Sequence, residues 1–254
     1  MISPLLTALL IALVLNLLVF LIAFKKQTDK LTDITYSLTF VVICCYMWYS
    51  NGASTDLYNV ILLFMVAFWA IRLGSYLFFR VLIKGKDHRF DAFRHEFPRY
   101  IRFWILQGVS AWLIALPVLI ALGKDAEAIA NLEGHPLVMV GMIMWVVGFL
   151  IESIADRQKF KFRLNPNNNG KFMNKGLFSV VRYPNYLGEM LVWIGVFLAV
   201  VPLLHGIEWI SIISPLWVCT LLLFISGIPF LERSNKKRYA HLPEFQEYKS
   251  KTKM

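Results

Sequence analysis

Two stretches of this sequence carry ionisable and polar residues at spacings that can do chemistry. In the first, Glu152, Asp156, Lys159 and Arg163 recur at intervals of four, three and four. That pattern is one face of an α-helix. Glu152 falls where a long apolar run ends. A carboxyl group at membrane depth is costly and faces a bundle interior or a wet cavity, where it can serve as an acid or base. The same stripe also reads as a ladder of intrahelical ion pairs at a membrane surface. The second stretch runs from Gly176 to Glu189, Gly-Leu-Phe-Ser-Val-Val-Arg-Tyr-Pro-Asn-Tyr-Leu-Gly-Glu. Pro184 suits the first turn of a helix, so a helix should begin there. Its unpaired N–H groups and positive dipole end would lie beside Arg182, an arrangement that takes phosphate. Asn185 and Glu189 are four residues apart and face the same way. The plainer reading is a capped helix entrance with an arginine snorkelling toward the headgroups.

The elements that must position these residues are membrane helices. Hydrophobic residues make up 58% of the chain, charged residues 17%, and the mean hydropathy is +0.59, a composition foreign to soluble domains of this length. A bilayer core is crossed by roughly 20 apolar residues in a helix. Seven stretches meet that requirement approximately: Leu5–Phe24, Ile34–Tyr49, Leu57–Phe79, Phe103–Leu122, Leu137–Ser153, Tyr186–Leu204 and Trp209–Phe230. The first lacks a basic start and ends in Lys25-Lys26, which favours a retained helix over a cleaved signal peptide. The expected fold is therefore all-α, a polytopic membrane bundle of about seven helices. It reads as a single transmembrane domain over residues 1–254.

Basic residues give an independent reading of the topology. All but Arg72 and Lys124 of the 26 Lys and Arg fall in alternate connections and in the tail. They follow the first helix (Lys25, Lys26, Lys30), fill the loop after the third (including Arg80, Lys86, Arg89, Arg94, Arg99 and Arg102), follow the fifth, and recur after the seventh. Positive charge collects on the cytoplasmic side, which puts the N-terminus outside and the C-terminus in the cytoplasm. The net charge of +10 is thus mostly a topology signal, with contact to anionic membrane lipid as its second consequence. The charges rim membrane helices instead of forming a separate basic domain, which argues against a nucleic-acid partner. Cys44, Cys45 and Cys219 lie inside apolar runs and the five histidines are scattered, so no metal site is expected.

The segment from Gly176 to Glu189 resembles the C-terminal signature of the steroid 5-alpha-reductase family, and more closely its uncharacterised bacterial branch. Trp69-Ala-Ile-Arg72-Leu-Gly with Arg80, the run Glu152-x-x-x-Asp156-x-Gln158-x-Phe160-x-Phe162, and the tail around Arg238-Tyr239 fit the same family. The resemblance implies a reductase-like region at about residues 100–254, holding NADPH on the cytoplasmic side, and a lipidic substrate entering from the membrane. It implies nucleotide contacts at Asp156, Arg163, Arg182, Asn185, Tyr186, Glu189 and Tyr239. The implied reaction reduces a carbon–carbon double bond conjugated to a carbonyl, and the implied location is the inner membrane of a bacterium. Steroid reductases polarise that carbonyl with a Gln-Glu pair in the second helix and a Tyr in the third. Here the second helix offers Tyr46, Trp48, Tyr49 and Asn51, with Trp69 near the third-helix position. The catalytic candidates are accordingly Glu152, Tyr46 and Tyr49. A competing resemblance is to the isoprenylcysteine carboxyl methyltransferases, which use S-adenosylmethionine and share an Arg-x-Pro-x-Tyr-x-Gly core. They usually carry His where this chain has Tyr183.

Overall fold

The computed structural model describes residues 2–85, 90–91, 93–130, 132 and 134–253. Lys86 and Arg89 of the basic loop lie outside the described residues. Ten α-helices are described: α1 (Ile2–Lys25), α2 (Thr32–Ser50), α3 (Leu57–Lys84), α4 (Phe97–Leu122), α5 (Ala126–Ala130), α6 (Pro136–Leu164), α7 (Pro184–Val200), α8 (Ile213–Thr220), α9 (Ile228–Tyr239) and α10 (Pro243–Lys251). No β-strand occurs among the described residues. The architecture is a polytopic helical bundle.

Among the described residues, six spans are long and apolar enough to cross a membrane: Ser3–Lys25, Leu57–Ile83, Phe97–Leu122, Pro136–Leu164, Pro184–Leu203 and Gly206–Tyr239. The seventh expected span, α2, forms as a helix but is diluted by hydroxyls. Thr32, Thr35, Ser37 and Thr39 are all buried. Thr35 Oγ1 donates to the Leu31 carbonyl (2.6 Å) and Thr39 Oγ1 to that of Thr35 (2.7 Å), so these two hydroxyls are satisfied by the preceding turn, whereas Ser37 Oγ has no hydrogen-bond partner. Large apolar side chains face outward in rows. Leu6, Leu10, Val14, Leu18 and Leu21 on α1, and Ile143, Val147, Leu150 and Ile154 on α6, are exposed. Lipid-facing helices look like this, because hydrocarbon solvates Leu and Val without penalty, whereas contiguous exposed apolar surface is rare on soluble monomers.

The chain divides into two compact units. Unit 1 comprises Met1–Val138 and Val200–Ser214. Helix α2 packs against α1, α3 and α4, and α4 packs against α1. Its middle is locked by a buried amide network: Asn16 Nδ2 donates to Thr39 Oγ1 (3.0 Å) and Gln107 Nε2 to Asn16 Oδ1 (2.8 Å). At one end Arg94 pairs with Asp29 (3.1 Å) and with Asp91, and Tyr100 Oη donates to the Thr28 carbonyl (2.7 Å). At the other end Lys124 reaches both oxygens of Glu208 (2.8 and 2.7 Å), and Asn51 Nδ2 donates to the Lys124 carbonyl.

Unit 2 comprises Met139–Ala199 and Pro215–Met254. Helices α6 and α7 meet backbone to backbone. A Cβ on Gly188 would sit 2.6 Å from the Glu152 nitrogen, and one on Gly148 2.7 Å from the Gly188 carbonyl oxygen. Gly141 and Gly195 repeat this approach two turns away. These glycines serve helix packing, as small residues do in membranes.

The span expected over Trp209–Phe230 is not one continuous helix. It breaks into a 3₁₀ segment (Gly206–Ile212), α8, a π turn (Leu221–Ile225) and α9. The Ser226 N–H bonds the Leu221 carbonyl at 2.7 Å, Pro229 begins α9, and a Cβ on Gly227 would collide with Leu222 backbone atoms. Ser-Gly-x-Pro therefore reads locally as a break inside an apolar run.

Candidate functional site

All the nucleotide-contact candidates, together with Glu152, fall in unit 2. Helix α6 is 29 residues long, about 43 Å at 1.5 Å per residue. That exceeds the roughly 30 Å hydrocarbon core, which leaves length for a polar end beyond it. Glu152 is 1% exposed and Asp156 6%, while Arg163 at the far end of the stripe is exposed. The stripe thus runs from buried acids to a solvent-facing cation. Glu152 is also fixed by packing, since its backbone N–H and Cβ abut Gly188 in the second turn of α7.

Arg163 lines a cavity of about 410 Å³ with Asn168, Asn169, Gly170, Arg238 and Tyr239. Its Nη1 donates to Tyr239 Oη at 3.4 Å, and that hydroxyl donates to the Lys171 carbonyl at 3.2 Å. The asparagine loop is held by its own chemistry. The Asn165 side chain accepts from the Asn167 N–H, Asn168 Nδ2 donates to the Phe162 carbonyl (3.0 Å), and Gly170 takes a φ of +78°, a region that favours glycine. Beneath, Tyr239 packs in an aromatic cluster with Phe172, Phe245 and Tyr248. The lining is two guanidiniums, two amides, a phenol and backbone, with no carboxylate. Such a lining suits an anion by charge and hydrogen-bond geometry.

The second cluster surrounds the start of α7, which begins at Pro184 as the sequence predicts. Glu232 Oε1 accepts from Tyr183 Oη (2.6 Å) and from Arg182 Nη1 (3.1 Å), and its Oε2 accepts from Lys249 Nζ (2.8 Å). Burial pushes the Tyr183 phenol far above its usual pKa, and the hydrogen bond to Glu232 adds to that. Tyr183 therefore stays protonated and holds its bond to the carboxylate. Tyr186 stacks on Tyr183 with ring centroids 6.2 Å apart. The C-terminal segment straps this cluster: the Arg182 N–H donates to the Lys253 carbonyl (3.1 Å) and Tyr248 Oη to that of Phe178 (2.7 Å). Asn185 Oδ1 and Arg182 Nε are buried without a hydrogen-bond partner. A buried orphan costs about 1–3 kcal/mol, so both atoms fit a site that a polar ligand completes. Glu189 sits one turn beyond Asn185 and is partly buried.

The structure brings Arg163 to Tyr239, and Arg182 to Tyr183 and Tyr186. Tyr46 and Tyr49 belong to unit 1. Both lie near the C-terminal end of α2, roughly 20–25 Å along the helix from Thr32 at 1.5 Å per residue, and Tyr49 is 77% exposed. They stand at the end of unit 1 away from its Asp29–Arg94 clamp. Sequence reasoning did not assign Arg238, Asn168, Asn169 or the hub Glu232 to the site. Glu232 carried a legible signal, as an acid at the mouth of a strongly basic tail, Glu-Arg-Ser-Asn-Lys-Lys-Arg. No group of three or more His, Cys, Asp or Glu able to hold a metal occurs among the described residues.

A family model described as "Protein of unknown function (DUF1295)" matches residues 19–252. A stretch of 82 residues is 35% identical to "Probable O-methyltransferase ustE" of Ustilaginoidea virens, covering 32% of this chain and 28% of that relative. No solved structure matches.

Proposed function

The chain belongs to the DUF1295 family, and from that premise we propose that it is a membrane-embedded, NADPH-dependent reductase of the steroid 5-alpha-reductase type. Its substrate would be a lipid-like molecule with a carbon–carbon double bond conjugated to a carbonyl, placing it in lipid metabolism. The observation that supports this is the carboxylate-free cavity of Arg163, Arg238, Tyr239 and the asparagine loop. Two guanidiniums with amide donors suit the phosphates of a dinucleotide, by charge and by bidentate geometry. In this reading Arg163, Arg238 and Asn168 hold phosphate, Tyr239 orients Arg163, Asn185 Oδ1 accepts from an amide of the nucleotide, and Arg182 and Tyr186 border it. Asp156 and Glu189 add polar contacts.

Bound NADPH would supply hydride. The chain must then hold a proton for the polarised carbonyl, and Glu152 is the better placed candidate. It is buried, fixed against Gly188, and on the helix that also carries Arg163. Tyr46 and Tyr49 remain the alternative donors. The family resemblance supports a bacterial inner membrane, and the asymmetry of the basic residues supports an N-terminus outside; a reporter fused after the C-terminus should read cytoplasmic, and external activity would overturn that sidedness.

One finding favours a second reading, a methyltransferase using S-adenosylmethionine: the relative named a probable O-methyltransferase. S-adenosylmethionine carries a sulfonium cation and no phosphate, so two guanidiniums suit it less well. Thermal unfolding of the detergent-solubilised chain separates the two. A ligand at a hundredfold excess over its dissociation constant stabilises by about 2.7 kcal/mol. We expect NADPH to raise the melting temperature and S-adenosylmethionine to leave it unchanged; the reverse outcome would replace the reductase with the methyltransferase.

A further inference from the structure

Unit 1 carries a second cationic feature, separate from the cavity of unit 2. Arg99, Arg102, Phe103 and Leu106 are spaced three, one and three residues apart on α4, which gives them one helix face. With Phe93 from the preceding loop they line an open cleft of about 320 Å³. The cleft has two halves. Arg99 and Arg102 lie in the first turns of a helix that is long and apolar enough to span a membrane. Phe103 and the exposed Leu106 continue from them into the apolar part of the span, with exposed Ile105 alongside. The wall is firm, because Phe103 packs on Phe90 (5.0 Å between centroids) and Phe93 (6.1 Å), which in turn pack on Tyr100.

Both guanidiniums have capacity to spare. Arg99 makes an exposed pair with Glu96 at 3.1 Å, and such surface pairs are worth little. Arg102, which lines the cleft, donates through Nε to the Pro98 carbonyl at 2.8 Å, which leaves its two Nη groups available to a ligand. A soluble anion would use only the cationic half of this surface. A molecule with an anionic head and an apolar tail uses both, and it meets them in the order in which a bilayer presents them. Arginine binds phosphate bidentately, and basic pockets at the ends of membrane helices collect anionic headgroups.

We propose that this cleft binds an anionic phospholipid, with its phosphate on Arg99 and Arg102 and an acyl chain along Phe103 and Leu106. Its lining shares no residue with the cavity of unit 2, and the proposal does not rest on the reaction assigned there.

The test uses the full-length protein in nanodiscs of phosphatidylcholine containing a minor fraction of phosphatidylglycerol, with retained lipid read by native mass spectrometry. Wild type should retain phosphatidylglycerol in preference to phosphatidylcholine. Each basic residue at an anionic membrane surface is worth about 1 kcal/mol, or roughly fivefold in binding. The double variant Arg99→Gln/Arg102→Gln should therefore lose roughly twenty- to thirtyfold in that preference. Lys25→Gln/Lys26→Gln removes the same charge elsewhere and should keep it. Leu106→Ser, which spares both guanidiniums, should also weaken retention. Three results would overturn the proposal: equal loss in both double variants, which means bulk surface charge; full retention by Leu106→Ser with displacement by millimolar inorganic phosphate, which means a simple anion site; or undiminished preference in the arginine variant. If the arginine variant melts early in pure phosphatidylcholine, Leu106→Ser and the phosphate competition decide alone.

Discussion

The two units differ in where their polar and cationic side chains gather. In unit 1, polar side chains deep among the helices mostly bond one another. Asn16, Thr39 and Gln107 close a network, Asp29 holds Arg94, and Lys124 takes both oxygens of Glu208. Other buried polar atoms of unit 1 have no hydrogen-bond partner, among them both side-chain polar atoms of Asn59, Gln27 Oε1, Ser37 Oγ and Trp104 Nε1. In unit 2 the cationic groups gather around a cavity and around the start of α7, and Asn185 Oδ1 and Arg182 Nε are left without partners. Closed networks rigidify and set which helices pack together. Open donor sets, and acceptors left bare, are what a binding site keeps in reserve. Bare buried atoms occur in both units, so the ligand chemistry proposed for unit 2 rests on its carboxylate-free cationic cavity.

Three substitutions test that assignment, in falling order of expected effect. Gly188→Val places side-chain atoms where the α6 backbone lies. Overpacking typically costs about 1–3 kcal/mol, and a clash with backbone belongs at the top of that range. The variant should express poorly or melt far below wild type; an unchanged melting temperature would mean that the α6–α7 seam is looser than described. Glu232→Gln strips charge from the hub that joins Arg182, Tyr183 and Lys249. Hydrogen bonds to charged groups contribute about 1.5–3 kcal/mol, so stability should fall by about that much, and nucleotide affinity with it because Arg182 loses its anchor. Gln107→Leu in unit 1 leaves Asn16 Oδ1 without its donor, a cost of about 1–3 kcal/mol, here at the lower end because Leu fills the space. Its signature is selectivity: melting temperature drops, while nucleotide affinity in the folded protein is unchanged. A loss of affinity there would break the division between the units.

Much of this was legible in the sequence, and the reason differs from place to place. Period-3.6 patterning and Pro184 specify where α6 carries its stripe and where α7 starts, because both are local properties. Helix α2 was legible as a helix despite its hydroxyls, since Thr and Ser can return their hydrogen bonds to the preceding turn, but it is not among the spans long and apolar enough to cross a membrane. The break at Ser226–Gly227 was hidden inside an apolar run, where composition outweighs a single Ser-Gly-x-Pro. The cavity was half legible. Arg163 and Tyr239 stand out by their motifs, but Arg238 is one of several tail cations, and Asn168–Gly170 reads only as a turn until the chain folds it beside α9. Tyr46 and Tyr49 were plausible donors by residue type, a property that carries no information about which end of α2 faces a cofactor.

The central claim is that unit 2 holds an anionic nucleotide on Arg163 and Arg238. The direct measurement is calorimetric titration of NADPH into wild type and into Arg163→Ala and Arg238→Ala, each first shown to melt as wild type does without ligand. Each removes a charge-assisted contact of about 1.5–3 kcal/mol, so each variant should bind NADPH roughly ten- to a hundredfold more weakly. Unaltered NADPH affinity in both variants, or wild-type binding of S-adenosylmethionine with none of NADPH, would contradict the account.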